Sequence, residues 1–236
     1  METGEILLID KPKGMTSFDV IRFLRKKLNI KKMGHAGTLD PLATGLLIIA
    51  TGTATKKLTE FTGLDKTYIM DILLGTKTDS GDLEGKILED LPVESVDLKK
   101  VSATLSSLIG KVELTAPIYS AIKLKGTPLY KYARQGKEIE PPKRTTEIYK
   151  LTLLENFKDG NKYVLRVEMD CSKGTYARSV AEEIGRRLGV PATIKELRRT
   201  RIGNYTIKMA NMIEGLETRV KGSEKPLLPT PSTLSP

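Results

Sequence analysis

The sequence predicts a layered domain of mixed strands and helices, α/β or α+β, and three observations carry that expectation. Short apolar runs alternate with stretches of helical periodicity along most of the chain. Breaks rich in glycine and proline separate them. The composition, 39% hydrophobic and 29% charged over 236 residues, is that of a soluble chain able to bury one sizeable core.

The first element is a short apolar strand, Ile6 to Ile9, stopped by Lys11-Pro12-Lys13-Gly14. Thr16 followed by Asp19 has the form of a capping box, so a helix is expected next. Val20, Ile21, Leu24 and Leu28 make its apolar face, and Arg22, Arg25, Lys26 and Lys27 make its outer face basic. A glycine-punctuated loop, Gly34 to Pro41, leads into Leu46 to Ala50, whose unbroken apolar character suits a buried strand. Tyr68 to Leu74 is a further strand candidate. After a turn-rich acidic loop, Thr78 to Gly85, a helix is expected near Val96 to Ile109, with Val101, Leu105 and Leu108 on one side.

From Lys123 to Arg144 the periodicity weakens. Lys123, Lys125, Lys131, Arg134, Lys137, Lys143 and Arg144 alternate with tyrosines and glycines, which reads as a mobile basic arm. Tyr163 to Met169 alternates as a strand, and Gly174 to Leu188 reads as a helix packed by the stripe Tyr176, Val180, Ile184 and Leu188. Lys221 to Pro236, rich in proline, serine and threonine, is expected to be poorly ordered.

Lys and Arg outnumber Asp and Glu by 39 to 29, a formal charge of +10, so a polyanion, nucleic acid first, is the expected partner. One cysteine, Cys171, and one histidine, His35, exclude a disulfide framework and a His/Cys zinc site, so no metal is expected. The N-terminal segment has no basic leader, and no run approaches a membrane span; a cytoplasmic location is expected. Neither a phosphate-binding Gly-x-x-x-x-Gly-Lys-Ser/Thr loop nor a Gly-x-Ser-x-Gly elbow is present, and the acidic loop has glycine at its third position, where a calcium loop needs a ligand.

Asp40 remains. Followed by Pro41, it is biased toward extended backbone, although an Asp-Pro pair alone is also an ordinary turn element. Its surroundings decide. The stretch Gly34-His35-Ala36-Gly37-Thr38-Leu39-Asp40-Pro41-Leu42-Ala43-Thr44-Gly45 resembles the signature of the TruB family, the tRNA pseudouridine-55 synthases. Six further segments follow the family's order: Asp10 to Ser17, Lys66-Thr67-Tyr68, Leu74 to Asp79, Pro117 to Lys123, Cys171 to Ser179, and Leu197-Arg198-Arg199-Thr200.

The resemblance implies an α+β pseudouridine synthase fold, a mixed and largely antiparallel sheet flanked by helices. It implies a catalytic domain over residues 1–210, a basic insertion at 123–144, and a tail at 211–236 without a complete C-terminal RNA-binding domain. Asp40 matches the catalytic nucleophile, Arg178 its paired arginine, and Tyr68 the tyrosine that stacks on the base and assists C5 deprotonation. Tyr176 and Leu197 match substrate contacts, and His35 a filler for the stacking position that an extruded uridine vacates. Lys11 and Pro12 belong to a motif beside the site. Lys123, Lys125, Lys131, Arg134, Arg198 and Arg199 are expected on the RNA backbone.

The implied reaction needs no cofactor and no guide RNA, the implied partner is the T-arm of tRNA, and the implied state is a monomer. Ala177 and Ala116 depart from the family's usual residues without removing a catalytic group. A guide-RNA-dependent synthase and a noncatalytic tRNA chaperone are the competing readings. The Leu42-Ala43 form of the Asp40 motif speaks against the first, and intact Asp40, Tyr68 and Arg178 against the second.

Overall fold

The computed structural model describes residues 4–213, so the tail expected to be poorly ordered, from Lys221 onward, lies outside the described residues. The elements in chain order begin with β1 (Ile6–Lys11), α1 (Ser17–Leu28), β2 (Met33–Ala36), β3 (Thr44–Thr51) and α2 (Leu58–Thr62). There follow β4 (Lys66–Leu74), β5 (Thr76–Thr78), β6 (Ile87–Asp90), α3 (Leu98–Ser106), β7 (Gly110–Thr115), β8 (Lys123–Leu124), β9 (Thr127–Pro128) and α4 (Leu129–Arg134). The remainder is β10 (Lys143–Asp159), β11 (Lys162–Cys171), α5 (Ala177–Leu188), β12 (Ala192–Ile202), β13 (Tyr205–Thr206) and β14 (Asn211–Met212). The described chain divides into two compact units, residues 4–64 with 198–213, and residues 65–197.

In the first unit β3 is the central strand. One edge takes β1 antiparallel, with Leu7 opposite Ile49 and Ile9 opposite Leu47. The other takes β2 antiparallel and, further along, β12 parallel, with Arg199 opposite Gly45. Strand alternation sends Leu47 and Ile49 to one face, where they meet Leu7, Ile9 and the α1 residues Val20, Ile21 and Leu24. Leu46 and Ile48 point to the other, against Leu8, Ala36, Phe61 and Ile202. Both faces are covered, which is why the sequence of β3 is apolar without interruption.

Helix α1 starts as its sequence requires. Thr16 Oγ1 accepts from the Asp19 amide at 3.0 Å, Asp19 Oδ2 accepts from the Thr16 amide at 2.9 Å, and the helix stops at Asn29 in the left-handed region.

The second unit is built on an antiparallel order β4-β11-β10-β7. Tyr68 on β4 stands opposite Met169, and Asp71 opposite Arg166, whose guanidinium grips the Asp71 carboxylate with two bonds of 2.8 Å. Register shifts at Ile148/Lys150 and Leu153/Glu155 bend the 17-residue β10. Helix α5 lies close to the start of β12 because Gly185 has no side chain: a Cβ there would sit 2.5 Å from that of Ala192.

Four expectations are corrected. The stretch Gly34 to Pro41 is not all loop, since Met33 and Ala36 are buried and pair β2 with β3 despite the glycines around them. Helix α5 begins at Ala177, with Tyr176 outside it as the capping residue. It is not held by one stripe, because Ala177, Arg178, Ser179 and Val180 are all buried in its first turn. The segment read as a mobile basic arm carries regular structure, the β8–β9 hairpin and α4, anchored by the completely buried Leu129. Strands β7, β10 and β12 are mostly polar or basic in sequence and carry little apolar signal.

Because Leu47 is buried in the β3 core, Leu47→Ala is expected to cost about 2–5 kcal/mol, while Leu154→Ala on the exposed face of β10 changes stability by no more than about 0.5 kcal/mol. Urea unfolding midpoints of the two variants check this.

Candidate active site

The loop carrying Asp40 is pinned on both sides of that residue. The buried Ser17, first residue of α1, accepts the Leu39 amide at 2.8 Å and donates to the Leu39 carbonyl at 3.1 Å. The Gly14 amide donates to the Pro41 carbonyl at 2.8 Å, and the Ala43 amide closes a turn onto the Asp40 carbonyl at 3.1 Å. Leu39 and Leu42 bury their side chains on either side. The half-buried Asp40 therefore stands on backbone whose neighbours are fixed by hydrogen bonds and by packing.

Two buried cations complete the clamp. Lys11 Nζ donates to the carbonyls of Pro12 at 2.9 Å and Met15, and reaches Pro41 O at 3.5 Å. Arg199, 1% exposed, donates through Nη2 to the Gly37 carbonyl at 2.9 Å and through Nε to the Leu46 carbonyl at 2.8 Å. β12 can lie this close to β3 because Gly45, at φ +102°, has no Cβ; one would sit 2.3 Å from the Arg199 carbonyl oxygen. His35, on β2, is half-buried, and burial first and the Arg199 charge second push its imidazole below the ordinary histidine value. Its Nδ1 is buried without a partner.

In the second unit Arg178 is the second residue of α5 and is 5% exposed. A cation at a helix N-terminus opposes the helix dipole, and here backbone carbonyls compensate it. Nη1 donates to Ser80 O at 2.7 Å and Nη2 to Tyr119 O at 3.0 Å, while Nε lies 3.9 Å from the Asp82 carboxylate. Asp82 is itself held by Ser80 Oγ at 2.6 Å and the Glu84 amide at 3.1 Å. Tyr119 donates to Asp79 at 3.4 Å, and burial and that carboxylate raise the tyrosine's pKa.

Tyr68 and Leu197 are also buried in this unit, and Tyr176 is half-buried. Tyr176 lines a cavity of about 330 Å³ together with Leu114, Ala116, Arg144, Thr146 and Lys173. Lys123, Lys125, Lys131 and Arg134 are exposed on the hairpin and α4, with the Arg134 guanidinium 5.5 Å from the Tyr130 ring centroid.

The structure thus groups Lys11, Pro12, His35, Asp40, Arg198 and Arg199 in the first unit, and Tyr68, Tyr176, Arg178 and Leu197 in the second. One expected role is overturned. Arg199 was expected on the RNA backbone, but its guanidinium is inside the protein on two backbone carbonyls, so it positions the Asp40 loop instead. Lys11 is likewise buried, with its ammonium group on the Pro12 and Met15 carbonyls. Arg198 stays partly exposed but is bound bidentately to Asp10 at 3.1 and 2.6 Å. Ser17, Ser80, Asp82 and Tyr119 were not singled out as site residues. Each lies in a segment or loop the sequence marks, but nothing local shows which carbonyl or hydroxyl will face a distant side chain. Among the described residues no group of three His, Cys, Asp or Glu side chains is placed to hold a metal ion.

The pattern of residues around this loop matches a known family. The model described as TruB family pseudouridylate synthase (N terminal domain) matches residues 25–177. The chain belongs to the TruB family. A second model, the tRNA pseudouridylate synthase B C-terminal domain, matches residues 178–228. The chain is 44% identical over 212 residues to tRNA pseudouridine synthase B of Aromatoleum aromaticum, covering 90% of this chain and 67% of that protein. It is 42% identical over 205 residues to the protein of the same name from Endomicrobium trichonymphae, covering 87% of each.

Among solved structures, a Cbf5-Nop10-Gar1 complex matches with a TM-score of 0.66 and 27% identity, and the archaeal box H/ACA sRNP Nop10-Cbf5 complex with 0.64 and 26%. Each match covers 90% of this chain and about half of the other, 53% and 52% respectively. The fold is the pseudouridine synthase fold, and its α+β class is the one expected.

Ser17→Ala removes both bonds to Leu39 inside the protein and is expected to cost about 1–3 kcal/mol in unfolding free energy, measured by denaturant titration. His35 is the only histidine, so its imidazole resonances report alone; an NMR titration should find its midpoint below that of an exposed histidine.

Proposed function

We infer that this chain is a tRNA pseudouridine synthase that isomerises the T-loop uridine at position 55. Two observations support this: membership of the TruB family with relatives of that name, and an Asp40 loop clamped at Gly37, Leu39 and Pro41. The clamp carries the mechanism, because a nucleophile held on immobile backbone loses little orientational freedom on reaching the transition state.

The reaction proposed is an isomerisation in which nothing is oxidised and nothing is added. The Asp40 carboxylate forms a covalent bond to the uridine, at C1′ or C6, and the N1–C1′ glycosidic bond breaks. The uracil rotates, C5 bonds to C1′, the carboxylate leaves, and the proton on C5 is removed while N1 gains one. Such a sequence calls for no cofactor, and the proposal places recognition of the uridine on the protein itself, without a guide RNA.

The roles proposed for the other residues follow the family's. Arg178 is the cation that keeps Asp40 ionised, with its guanidinium already oriented by Ser80 and Tyr119. Tyr68 stacks on the base and assists removal of the C5 proton. Tyr176 and Leu197 contact the base, and Pro12 belongs to a motif that serves the substrate. His35 takes the stacking place that the extruded uridine leaves, and its planar ring offsets part of the unstacking cost of a few kcal/mol. The exposed Lys123, Lys125, Lys131 and Arg134, with Arg198, meet RNA phosphates, so affinity falls as salt rises. The enzyme acts as a monomer in the cytoplasm.

Incubating the protein with an unmodified tRNA transcript, without guide RNA, and mapping pseudouridine by chemical adduct and reverse transcription tests this reading. Modification at the single T-loop uridine is expected, and Asp40→Asn should bind the transcript but form no product. Turnover only when a guide RNA is added would replace the proposal by a guide-dependent one, the mode suggested by the likeness to Cbf5. Arg178→Lys loses the bidentate fork and should lower the single-turnover rate by at least tenfold; an unchanged rate would remove it from the mechanism.

A further inference from the structure

Helix α1 holds the Asp40 loop through Ser17, but the functional reading makes no use of its outer face. Phe18, the next residue, is 52% exposed, and Phe23 is 41% exposed. Neither ring serves the core, which takes Val20, Ile21 and Leu24 from this helix. Both rings lie among cations: the Arg22 and Arg25 guanidinium carbons are 5.7 and 5.8 Å from the Phe18 centroid, and Lys27 Nζ is 5.2 Å from that of Phe23. From Arg22 to Lys32 the chain has six cationic residues and no acidic one. Lys26, Lys31 and Lys32 are exposed and form no ion pair among the described residues. The one carboxylate on the face, Asp19, is bound to Thr16 and Arg22.

The turn after the helix is fixed as well. Asn29 takes the left-handed conformation, Arg25 donates to the Met33 carbonyl at 3.1 Å, and Lys32 O accepts the Gly52 amide at 2.9 Å. Lys31 and Lys32 are therefore held at the C-terminal end of the same helix.

Exposed aromatic rings interleaved with cations suit one kind of partner, a nucleic-acid strand with unpaired bases. The rings offer flat surfaces on which bases stack, and the cations neutralise the phosphates between them. A paired helix would satisfy the charges but leave the rings without partners. We propose that the outer face of α1, with Phe18, Phe23, Lys26, Lys31 and Lys32, is a second RNA-contact surface that takes unpaired nucleotides of the substrate outside the T-loop. This rests on the reading of the chain as a tRNA-modifying enzyme. The position supports it: the face starts one residue after the serine that holds Leu39, the neighbour of Asp40, and the 12-residue helix runs about 18 Å from there.

The test compares a full-length unmodified tRNA transcript with an isolated T-arm stem-loop, by fluorescence anisotropy over a range of salt, for the native protein and two variants. The Phe18→Ala/Phe23→Ala variant is expected to bind the full transcript about tenfold more weakly. The Lys26→Glu/Lys31→Glu/Lys32→Glu variant should show a shallower dependence of log affinity on log salt, by about 0.7 for each phosphate it no longer neutralises. Neither should change stem-loop affinity or the rate of stem-loop modification at saturation, and thermal melts followed by circular dichroism confirm folding.

Native affinity of both variants for the full transcript would overturn the proposal. So would an equal loss on both RNAs, which would make α1 part of T-loop binding itself. Binding of the native protein to phosphatidylserine vesicles, abolished in the lysine variant while transcript binding is kept, would assign the face to lipid and overturn it too. Failure of the native protein to modify either RNA would defeat the functional reading, while the binding comparison would still decide the surface.

Discussion

The first unit depends on one buried guanidinium. Arg199 lies inside the protein and is held by the Gly37 and Leu46 carbonyls, so it joins the strand that carries it to the start of the Asp40 loop and to β3. Burying an arginine costs desolvation free energy, and only well-aligned acceptors offset it. Gly45 makes the approach possible by leaving space for the Arg199 backbone, and Gly37 supplies one acceptor from a left-handed turn that other residues rarely adopt. The glycines on either side of Asp40 are thus explained by the arginine they accommodate as much as by the aspartate between them.

The second unit treats Arg178 the same way. The guanidinium is presented rather than buried in apolar surroundings: two of its nitrogens are held by carbonyls from separate loops, and the acidic loop, which has no calcium-binding pattern, is the support. In both units backbone carbonyls, not a carboxylate alone, set the direction of the side chain. A carbonyl belongs to the fold and does not titrate, so these contacts do not by themselves change with pH.

Legibility from sequence differed by kind of residue. Apolar periodicity located β1, α1, β3, β4, α3 and β11, because burial leaves a pattern within a few residues. It failed for β10 and β12, whose exposed or arginine-rich faces carry no such pattern, and for β2, where glycines hide a strand that only pairing with β3 stabilises. The segment 123–144 looked unstructured for the same reason, since its order rests on Leu129 reaching the core. Asp40 and Arg178 could be singled out only because whole segments resemble a family; one aspartate before a proline, or one arginine near a helix start, is too common to distinguish.

By itself the sequence determined the class of fold and the family, since these follow from local pattern and from ordered motifs. Only the tertiary structure decided the duties of the basic residues. Arg199 and Arg198 are neighbours of identical type in one motif, yet alternation along β12 turns the first inward onto carbonyls and leaves the second at the surface beside Asp10. Lys11 turns inward, whereas Lys26, Lys31 and Lys32 remain in solvent. Charge is a property of the residue, but whether it holds the protein together or meets a partner depends on which face of its element it occupies and which acceptors lie within about 3 Å, and those come from parts of the chain far away in sequence.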